Sequence, residues 1–391
     1  MKSRVREWGM GNVSGKVANG RKIWYNVENI FKRMFYSIPR EKAMAIVNQQ
    51  KWKVVEYSRS KIINSGKRIK DVNSTPEQIE EATKVIDNWR ASHAFPMHVI
   101  YIHLRRMASK RKDIIVAERL KRMDSIIKKL EREPSMSLWT MQDLGGCRFI
   151  VPTLDEVYEY SEKYHLSRKR HIFKSQYDYI KSPKSSGYRS LHMVYEYKSD
   201  RTEAYNKNML IEIQYRTHLQ HIWATALETM GIFTKQNLKA SQGEESTKMF
   251  FVLVSSLFAL EEGCPIVPGT VEDRDELISE IESINAKYNI IDTLSAIKVF
   301  SDFTRDIEMK KTGYYMLILN FNTKRLRIRY FLPSEIELAN EIYSKIEKTR
   351  AESKIDAVLV RAESFNDLKN AYPNYFADIS EFVLRVTAYL R

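Results

Sequence analysis

The chain contains few cysteines and no long hydrophobic run, and both shortages narrow the class of protein. Cys147 and Cys264 are the only cysteines among 391 residues, too few for a disulfide framework or a multi-cysteine zinc site. No stretch approaches the ~20 consecutive apolar residues of a membrane helix, and the basic first residues lead into no apolar signal segment. We therefore expect a cytoplasmic protein without a membrane partner.

The composition also excludes a disordered chain. Apolar residues make up 43% of the sequence and aromatic residues 11%, which suffices for a buried core, and the length favours two or three domains. Two prolines and two glycines in 261–270 indicate a linker. We predict a basic N-terminal segment over 1–74, a mixed α/β domain over 75–260, a linker and connecting helix over 261–312, and a small C-terminal α+β domain over 313–391.

Positive charge is concentrated near the N-terminus. The formal net charge is +15, and residues 1–70 contain 17 Lys and Arg against four Glu, a surplus that attracts polyanions. Aromatic residues lie among these cations, as stacking on exposed bases requires: Trp8, Trp24, Tyr25, Tyr36, Trp52 and Tyr57. The segment is either a nucleic-acid binding surface or an ordinary solvated basic face.

Hydrophobic periodicity separates helices from strands along the chain. Apolar residues at helical spacing predict a helix over about 114–132, through Val116, Leu120, Met123, Ile127 and Leu130. Further helices are predicted at about 75–90, 97–110, 154–164, 218–230, 274–307, 333–350, 363–371 and 377–390. Strands are predicted at 146–152, 191–198, 209–217, 313–321, 325–331 and 356–361.

Two carboxylates on separate elements are the first chemical signal. Asp143 precedes the first predicted strand, and Glu212 lies within the strand 209–217, where Gln214 and Arg216 share its face. A polar face on an apolar strand predicts a solvated cleft. Two carboxylates that meet in a cleft suit one hard divalent cation such as Mg²⁺, or a metal together with a general base. A structural salt bridge is the alternative.

A row of polar residues on the predicted helix is the second signal. Lys121, Ser125 and Lys129 recur at every fourth position and share one helical face, which suits a polyphosphate. A solvated basic face would give the same row. Arg119 falls off this row, so periodicity assigns it no role.

The loop 183–192 is the third signal. Gly187 precedes Tyr188, Arg189 and His192, so the loop can present a stacking ring beside phosphate ligands. His218 and His221 stand three residues apart after the strand that carries Glu212, and they are either metal ligands or, more commonly, packed or surface histidines.

Four motifs occur together in the order of one family. They are the R-x-K-x3-S-x3-K spacing of Arg119, Lys121, Ser125 and Lys129, then QDLGGCRFIV (142–151), GYRSLH (187–192), and IEIQYRT (211–217) followed by Trp223. Together they cover about 115–235. In this combination the chain resembles the RelA/SpoT-type (p)ppGpp synthetases, or alarmone synthetases.

The resemblance implies a fold and a reaction. The fold is a nucleotidyltransferase-like mixed β-sheet flanked by helices. The reaction moves the β,γ-pyrophosphate of ATP onto the 3′-hydroxyl of an acceptor nucleotide, which implies an ATP-dependent pyrophosphotransferase. Such a transfer depends mostly on positioning and charge neutralisation.

The resemblance also implies how ATP is bound. Arg119 and Arg148 would sandwich the adenine, a stacked role in which lysine cannot substitute. Lys121 and Lys129, with Ser125 nearby, would hold the phosphates.

The remaining motif positions imply the metal site and the acceptor site. Asp143 and Glu212 would bind Mg²⁺, and Glu212 would also take the proton of the attacking hydroxyl. Tyr188 would stack on the acceptor base. The acceptor would be positioned by Lys184, Arg189, His192 and Gln214.

Two departures from the family pattern bear on the product. Ser186 stands where the alarmone makers usually have Asn, which weakens the case for guanine as the acceptor base. The chain also lacks a His-Asp dipeptide and with it the hydrolase domain of the long bifunctional enzymes. We favour the 3′-CCA end of tRNA as the acceptor. GTP or GDP, giving the alarmone, is the alternative, and a catalytically silent nucleotide- or RNA-binding module is a third possibility.

The C-terminal segment carries a further resemblance. Tyr372 and Tyr375 form a YxxY motif similar to that of CapRel-like proteins, fused toxin–antitoxin members of the toxic small alarmone synthetase branch. That resemblance implies a translation-blocking toxin in phage defence, regulated by its own C-terminal domain and activated by a phage protein. Two aromatics that merely pack inside the small domain are the alternative.

Overall fold

The structure, a computed structural model, describes residues 52–200, 202–234, 241–298, 313–320, 325–353, 355–362, 365–372 and 379–390. Most of the basic N-terminal segment and its aromatic residues before Trp52 lie outside these ranges, so its predicted contact with nucleic acid stays a prediction. Tyr375 also lies outside them. Among the described helices, none is both long enough and apolar enough to cross a bilayer.

An eight-stranded mixed sheet organises these residues, in the order β3-β4-β5-β2-β1-β8-β6-β7. β2 and β5 are parallel, and the other neighbouring strands are antiparallel. The strands are β1 (Ile115–Leu120), β2 (Gly145–Val151), β3 (Ile172–Asp178), β4 (Leu191–Glu196), β5 (Leu210–Thr217), β6 (Gly313–Asn320), β7 (Arg325–Phe331) and β8 (Ile355–Ala362). The predicted fold class, a mixed sheet flanked by helices, is confirmed.

The described helices, in chain order, are α1 (Arg59–Arg68), α2 (Pro76–Ser92), α3 (Ala94–Met107), α4 (Met123–Arg132), α5 (Leu154–Leu166), α6 (His218–Thr234), α7 (Ser241–Glu262), α8 (Arg274–Tyr288), α9 (Ile290–Lys298), α10 (Ile336–Ser353), α11 (Phe365–Ala371) and α12 (Ser380–Tyr389). Local signals explain their starts. Thr75 and Gln78 form a reciprocal capping box at α2, with Pro76 in its first turn, and Asp273 caps α8.

The centre of the sheet has one apolar face and one polar face, because alternate side chains of a strand point to opposite sides. Phe149, Ile213 and Tyr215 are buried on the apolar face, where α3 and α5 pack. On the other face, Arg148 lies opposite Gln214 in the β2–β5 pair. That polar face is the floor of the candidate site.

Helices α6 to α9 and α12 form a second core beside the polar face. Trp223 of α6 packs edge-on against Phe251 of α7, and Phe382 of α12 stacks on the same Phe251 ring at 5.5 Å. The C-terminal helix is therefore anchored on the helices that support the site.

The predicted helix over 114–132 is wrong in its first half. Residues Ile115–Leu120 form β1, and the helix starts only at Met123. Val116 packs into the core on one face of β1 and Ala117 into the core on the other. A strand buried on both faces has no alternating pattern, so its apolar residues also matched a helical spacing.

Other elements differ from the prediction as well. Strand β3 and helices α1 and α7 were not predicted. β3 is mostly exposed at the sheet edge and has little apolar patterning. The helix predicted over 274–307 is interrupted at Asn289, whose left-handed φ of 50° ends α8 before α9 begins. Residues beyond 298 in that prediction lie outside the described ranges.

The C-terminal strands extend the same sheet rather than forming a separate one. β8 pairs with β1 through two register pairs, Glu118 with Arg361 and Arg119 with Val360, whereas each other strand pair has six to eight. The junction is therefore narrow. The division into domains at 74, 260 and 312 stays a prediction.

Candidate active site

A small cavity of about 80 Å³ opens on the polar face of the sheet. It is lined by Ala117, Arg119, Lys121, Asp143, Gly146, Cys147, Arg148, Glu212, Gln214 and Tyr372. Six of the residues predicted for ATP, metal or acceptor therefore meet at one place, together with the C-terminal Tyr372. Ligand pockets usually measure ~300–1,000 Å³, so this cavity is too small for a nucleoside triphosphate.

Asp143 lies in the loop before β2 and accepts hydrogen bonds from two lysines. Lys121 Nζ donates to one carboxylate oxygen at 2.8 Å and Lys129 Nζ to the other at 3.1 Å. Burial acts to raise the pKa of Asp143, but the two ammonium groups outweigh it and hold this pKa below its usual value. Asp143 is therefore ionised at neutral pH.

The two lysines reach Asp143 from different elements. Lys121 follows β1 in a turn where its backbone N–H donates to the carbonyl of Leu144 at 2.8 Å, and Lys129 lies on α4. The single helical face predicted for them is wrong, because Lys121 precedes the helix. They nevertheless converge, since both ammonium groups contact the carboxylate of Asp143 in the loop before β2.

Glu212 is buried in the middle of β5 and anchors a chain of hydrogen bonds. His192 Nδ1 lies 2.9 Å from Glu212 Oε1, and Gln214 Nε2 donates to Oε2 at 2.6 Å. On its other side, His192 Nε2 lies 2.9 Å from the hydroxyl of Tyr188. The chain links the carboxylate to the ring predicted to bind the acceptor base.

The protonation state of Glu212 follows from these contacts. Burial acts to raise the pKa of Glu212, but the attraction and hydrogen bond of His192 leave this pKa below its usual value despite the nearby charge of Asp143. Glu212 is thus available as a carboxylate near neutral pH, as both a metal ligand and a proton acceptor must be.

The two carboxylates fit a divalent cation that a substrate brings with it. Within the described ranges, no group of three or more His, Cys, Asp and Glu side chains could hold a metal ion by itself. Asp143 and Glu212 line the same cavity. Mg²⁺ is commonly bound by one or two carboxylates plus substrate phosphates, and this donor set matches that mode. His218 and His221, considered as ligands, instead contact Glu381 and the carbonyl of Asn370.

Arg148 is occupied by the C-terminal segment. Its guanidinium carbon lies 5.8 Å from the ring centroid of Tyr372, and Nη1 donates to the carbonyl of Ala371 at 3.0 Å. Arg119 lines the same cavity. The two arginines predicted to hold adenine thus share the cavity with a tyrosine ring.

Two further contacts fix the tip of α11 over the site. The hydroxyl of Tyr372, which is 3% exposed, donates to the carbonyl of Glu118 in β1 at 2.8 Å. His221 Nε2 lies 3.0 Å from the carbonyl of Asn370, and burial holds the pKa of His221 well below its usual value. The terminal carbonyls of α11 therefore receive one donor from Arg148 on β2 and one from His221 on α6, as helix ends require.

The acceptor side lies beyond His192. Tyr188 is partly buried, and Lys184 Nζ lies 5.5 Å from its ring and 4.2 Å from the ring of Tyr179. Gly187 has a φ of 86°, and a Cβ there would approach Ser255 Cβ and the Trp223 ring to 2.9 Å. Only glycine allows α7 to press the loop of Tyr188 against the sheet.

Six of the predicted residues that the structure describes do not line the cavity, and four of these connect to it through the contacts given above: Lys129, Lys184, Tyr188 and His192. Arg189 and Ser125 do not. Arg189 is buried behind the loop, where Nε donates to Ser255 Oγ at 3.0 Å and Nη1 to the carbonyl of Pro265 at 2.6 Å. Its place indicates a structural role in holding 264–265 to the loop. Ser125 is partly buried on α4 and is not among the lining residues.

Sequence reasoning missed three contributors. Arg216 is fully buried beside Arg148, and burial together with that like charge lowers its pKa to about 9. Tyr179 and Tyr177 extend the aromatic surface from Tyr188. The shared face of Glu212, Gln214 and Arg216 was a usable signal for Arg216, whereas Tyr177 depends on the unpredicted strand β3.

Comparison with known proteins identifies a related region. Residues 118–237 match the family model described as the region found in RelA/SpoT proteins. The chain is 38% identical over 112 residues to GTP pyrophosphokinase YjbM of Bacillus subtilis, covering 28% of this chain and 52% of that protein. It is 31% identical over 113 residues to GTP pyrophosphokinase YwaC of the same organism, covering 27% and 52%. The chain thus spans about half the length of these curated relatives.

Two solved structures also match part of the chain. The small alarmone synthetase 1 of Bacillus subtilis bound to its product pppGpp matches with a TM-score of 0.37 and 26% identity, over 44% of this chain and 89% of that chain. A GTP pyrophosphokinase family protein from Streptococcus pneumoniae matches with a TM-score of 0.36 and 26% identity, over 49% and 92%.

Proposed function

We propose that this chain is a RelA/SpoT-type pyrophosphokinase that transfers the β,γ-pyrophosphate of ATP to a nucleotide 3′-hydroxyl. The observation that carries the proposal is the meeting of Asp143, Glu212, Arg119 and Arg148 in one cavity, inside the region that matches RelA/SpoT proteins. The pKa of each carboxylate is held below its usual value, and Lys121 and Lys129 contact Asp143.

The ATP end of the site consists of arginines and lysines. Arg119 and Arg148 would sandwich the adenine, and Lys121 and Lys129 would exchange Asp143 for the phosphates. Asp143 and Glu212 would hold Mg²⁺, which neutralises phosphate charge when bound. Arg216 adds positive potential beneath the cleft and remains protonated at neutral pH.

The chemistry centres on Glu212. Its carboxylate takes the proton of the acceptor 3′-hydroxyl as that oxygen bonds to the β-phosphorus of ATP. The bond from the β-phosphorus to the bridging oxygen of the α-phosphate breaks, and AMP leaves. His192 and Gln214 orient the carboxylate through bonds to its two oxygens. Tyr188 would stack on the acceptor base, with Lys184 beside it.

Two acceptors are compatible with this site, the 3′-CCA end of tRNA and GTP or GDP. The tRNA 3′-CCA end is favoured by the basic, aromatic N-terminal segment, by Ser186 and by the YxxY motif. GTP or GDP fits the names of the related proteins at least as well. The first acceptor makes the protein a translation-blocking toxin of phage defence, and the second makes it an alarmone synthetase.

We further propose that the C-terminal segment inhibits the enzyme. Tyr372 contacts Arg148 where the adenine would stack, and the remaining cavity is too small for ATP. A tethered ring competes with ATP at high effective concentration. A partner such as a phage protein would activate the enzyme by binding the open form more tightly than the closed form.

The test uses ATP labelled at the γ-phosphate, incubated with the full chain and either tRNA or GDP. Tyr372→Ala is assayed beside the unchanged protein because the ATP end is covered, and Glu212→Gln sets the background. Label on tRNA identifies the favoured acceptor, and label on GDP identifies the alarmone synthetase. If neither the unchanged protein nor Tyr372→Ala labels tRNA or GDP, the proposed transfer is contradicted and the chain is a nucleotide- or RNA-binding module.

A further inference from the structure

A line of tyrosine rings leads from the acceptor site to the exposed edge of the sheet. Tyr179 lies 6.2 Å from Tyr188 between ring centroids, and Tyr177 lies 6.1 Å from Tyr179 with the two rings within 6° of parallel. Tyr177 is 39% exposed. None of the roles assigned above requires Tyr177 or Tyr179, and the three rings form one contiguous row rather than a single exposed aromatic residue.

An irregularity in β3 directs Tyr177 toward the site. Tyr177 pairs with His192, whose side chain faces Glu212, while Phe173 pairs with Tyr195 on the apolar face. Residues 173 and 177 would share a face in a regular strand, but the register shifts between Phe173 and Ser175. Bulges of this kind commonly redirect side chains next to active sites.

Polar groups accompany the rings. Lys184 Nζ lies 4.2 Å from the centroid of Tyr179 and 5.5 Å from that of Tyr188, and its side chain is at the surface. Gln142, the neighbour of Asp143, has Nε2 3.4 Å from the Tyr177 hydroxyl. Partly exposed aromatic rings beside a cationic side chain are the kind of surface that binds single-stranded nucleic acid.

We propose that Tyr177 and Tyr179 form a second stacking site, which holds the base of the nucleotide that precedes the acceptor nucleotide. The proposal rests on the proposed function for the identity of the acceptor site at Tyr188. It predicts that the enzyme prefers the end of a single-stranded RNA to a mononucleotide. The ring spacings exceed the ~3.4 Å rise of stacked bases, as suits bases splayed onto separate rings.

Binding to a short single-stranded RNA that ends in CCA, labelled with fluorescein at its 5′ end, tests the site without turnover. Tyr177→Ala should weaken binding about 5- to 150-fold, the effect of one lost base–aromatic stack. Tyr177→Phe keeps the ring and should stay within about threefold of the unchanged protein.

Phe173→Ala is the matched control, because Phe173 lies on the same edge strand with a similar exposure of 40% but faces the other side. It should leave RNA binding unchanged. If Tyr177→Ala and Phe173→Ala bind the RNA equally well, the second stacking site is overturned.

A transfer assay separates this proposal from the proposed function. With Tyr372→Ala as the active background, Tyr177→Ala should lower the ratio of kcat/KM for the RNA to that for GDP, again about 5- to 150-fold. Transfer with an unchanged ratio overturns the stacking site alone. RNA binding that depends on Tyr177, without transfer to either acceptor, contradicts the pyrophosphokinase and supports the stacking site.

Discussion

The ATP end and the acceptor end of the candidate site differ in the residues that contact them. At the ATP end, Arg148 contacts the ring of Tyr372 and the carbonyl of Ala371, both from the C-terminal segment. At the acceptor end, Lys184 is exposed, and Tyr188 is partly buried against the core formed by helices α6 to α9 and α12. On the proposed function, the ring of Tyr372 would therefore take the place of adenine at the ATP end, whereas Lys184 at the acceptor end is exposed. On the proposed function, control over ATP entry would be sufficient to silence the transfer even with an acceptor bound.

The largest expected effect comes from the residue between the two ends. Glu212→Gln keeps the side-chain volume but removes the charge and the proton acceptor, so transfer should fall on the order of 10²–10⁴-fold. Both ends should still bind their ligands, since neither Arg148 nor Tyr188 is altered. Single-turnover transfer from labelled ATP, with circular dichroism to check the fold, measures this. Activity within a few-fold of the unchanged enzyme would falsify the role of Glu212.

Gly187→Ala should damage the acceptor end alone. The substitution imposes a φ of 86° on alanine, a strain of ~1–3 kcal/mol, and a contact of 2.9 Å with Ser255 and Trp223. The loop of Tyr188 must shift, and the KM for the acceptor should rise about tenfold or more. Gly269→Ala is the control, because its φ is 88° but its Cβ would meet nothing within 4 Å. Equal acceptor KM values for the two variants would contradict the role of the clamped loop.

Tyr372→Ala should open the ATP end alone. It removes a cation–π contact of ~0.5–2 kcal/mol and a buried hydrogen bond of ~1 kcal/mol, so basal ATP affinity should rise about tenfold. If the ring also recruits the activator, the response to that partner is lost at the same time. Titration with a fluorescent ATP analogue measures the change. Tyr372→Phe loses only the hydrogen bond from the ring hydroxyl to the carbonyl of Glu118, so its ATP affinity should lie between those of the unchanged protein and Tyr372→Ala. An unchanged ATP affinity in Tyr372→Ala would mean that the ring only packs in the fold.

The smallest expected effect is on the stability of the fold, through the ion pairs of Asp143. The pKa of Asp143 is lower in the folded chain than its ordinary value, so its ion pairs stabilise the fold above the ordinary pKa, and this stabilisation is lost as pH falls through the folded pKa. Lys121→Ala should cost ~1 kcal/mol at pH 7, and the difference from the unchanged protein should vanish on acidification. Thermal unfolding at pH 7 and at successively lower pH values below the ordinary pKa of 3.8 measures it. A difference that persists at low pH would point to lost packing instead.

Sequence patterns predicted which residues share the polar face of the sheet. Tyr372 of the C-terminal segment was singled out only through the YxxY resemblance. Glu212 and Gln214 were placed on one face by the two-residue period of a strand, and the structure brings them together with Asp143. β1 was mistaken for a helix because both its faces are buried. The contact of Arg148 with Tyr372 joins residues more than 220 positions apart, and no local pattern encodes such a pairing.

Arg189 and Tyr177 show the same limit at shorter range. Arg189 precedes β4, and its side chain turns inward to donate hydrogen bonds to Ser255 of α7 and to the carbonyl of Pro265. No sequence pattern links these two residues to Arg189. Tyr177 reaches the site only through the register shift in β3. Motif resemblance assigns a role to a position, but the local backbone decides where its side chain points.

The narrow pairing of β1 with β8 also affects the order in which a newly made chain matures. Residues 121–354 separate the two strands, and a ribosome adds them in roughly 10–50 s at ~5–20 residues per second. During that interval the strand that carries Arg119 can already pair with β2, while Tyr372 has not been synthesised. On the proposed function, each nascent chain therefore passes through a period in which ATP can enter without competition. Photocrosslinking of an ATP analogue to chains stalled before residue 355 would measure it, and the translation rate, rather than an affinity, would set its length.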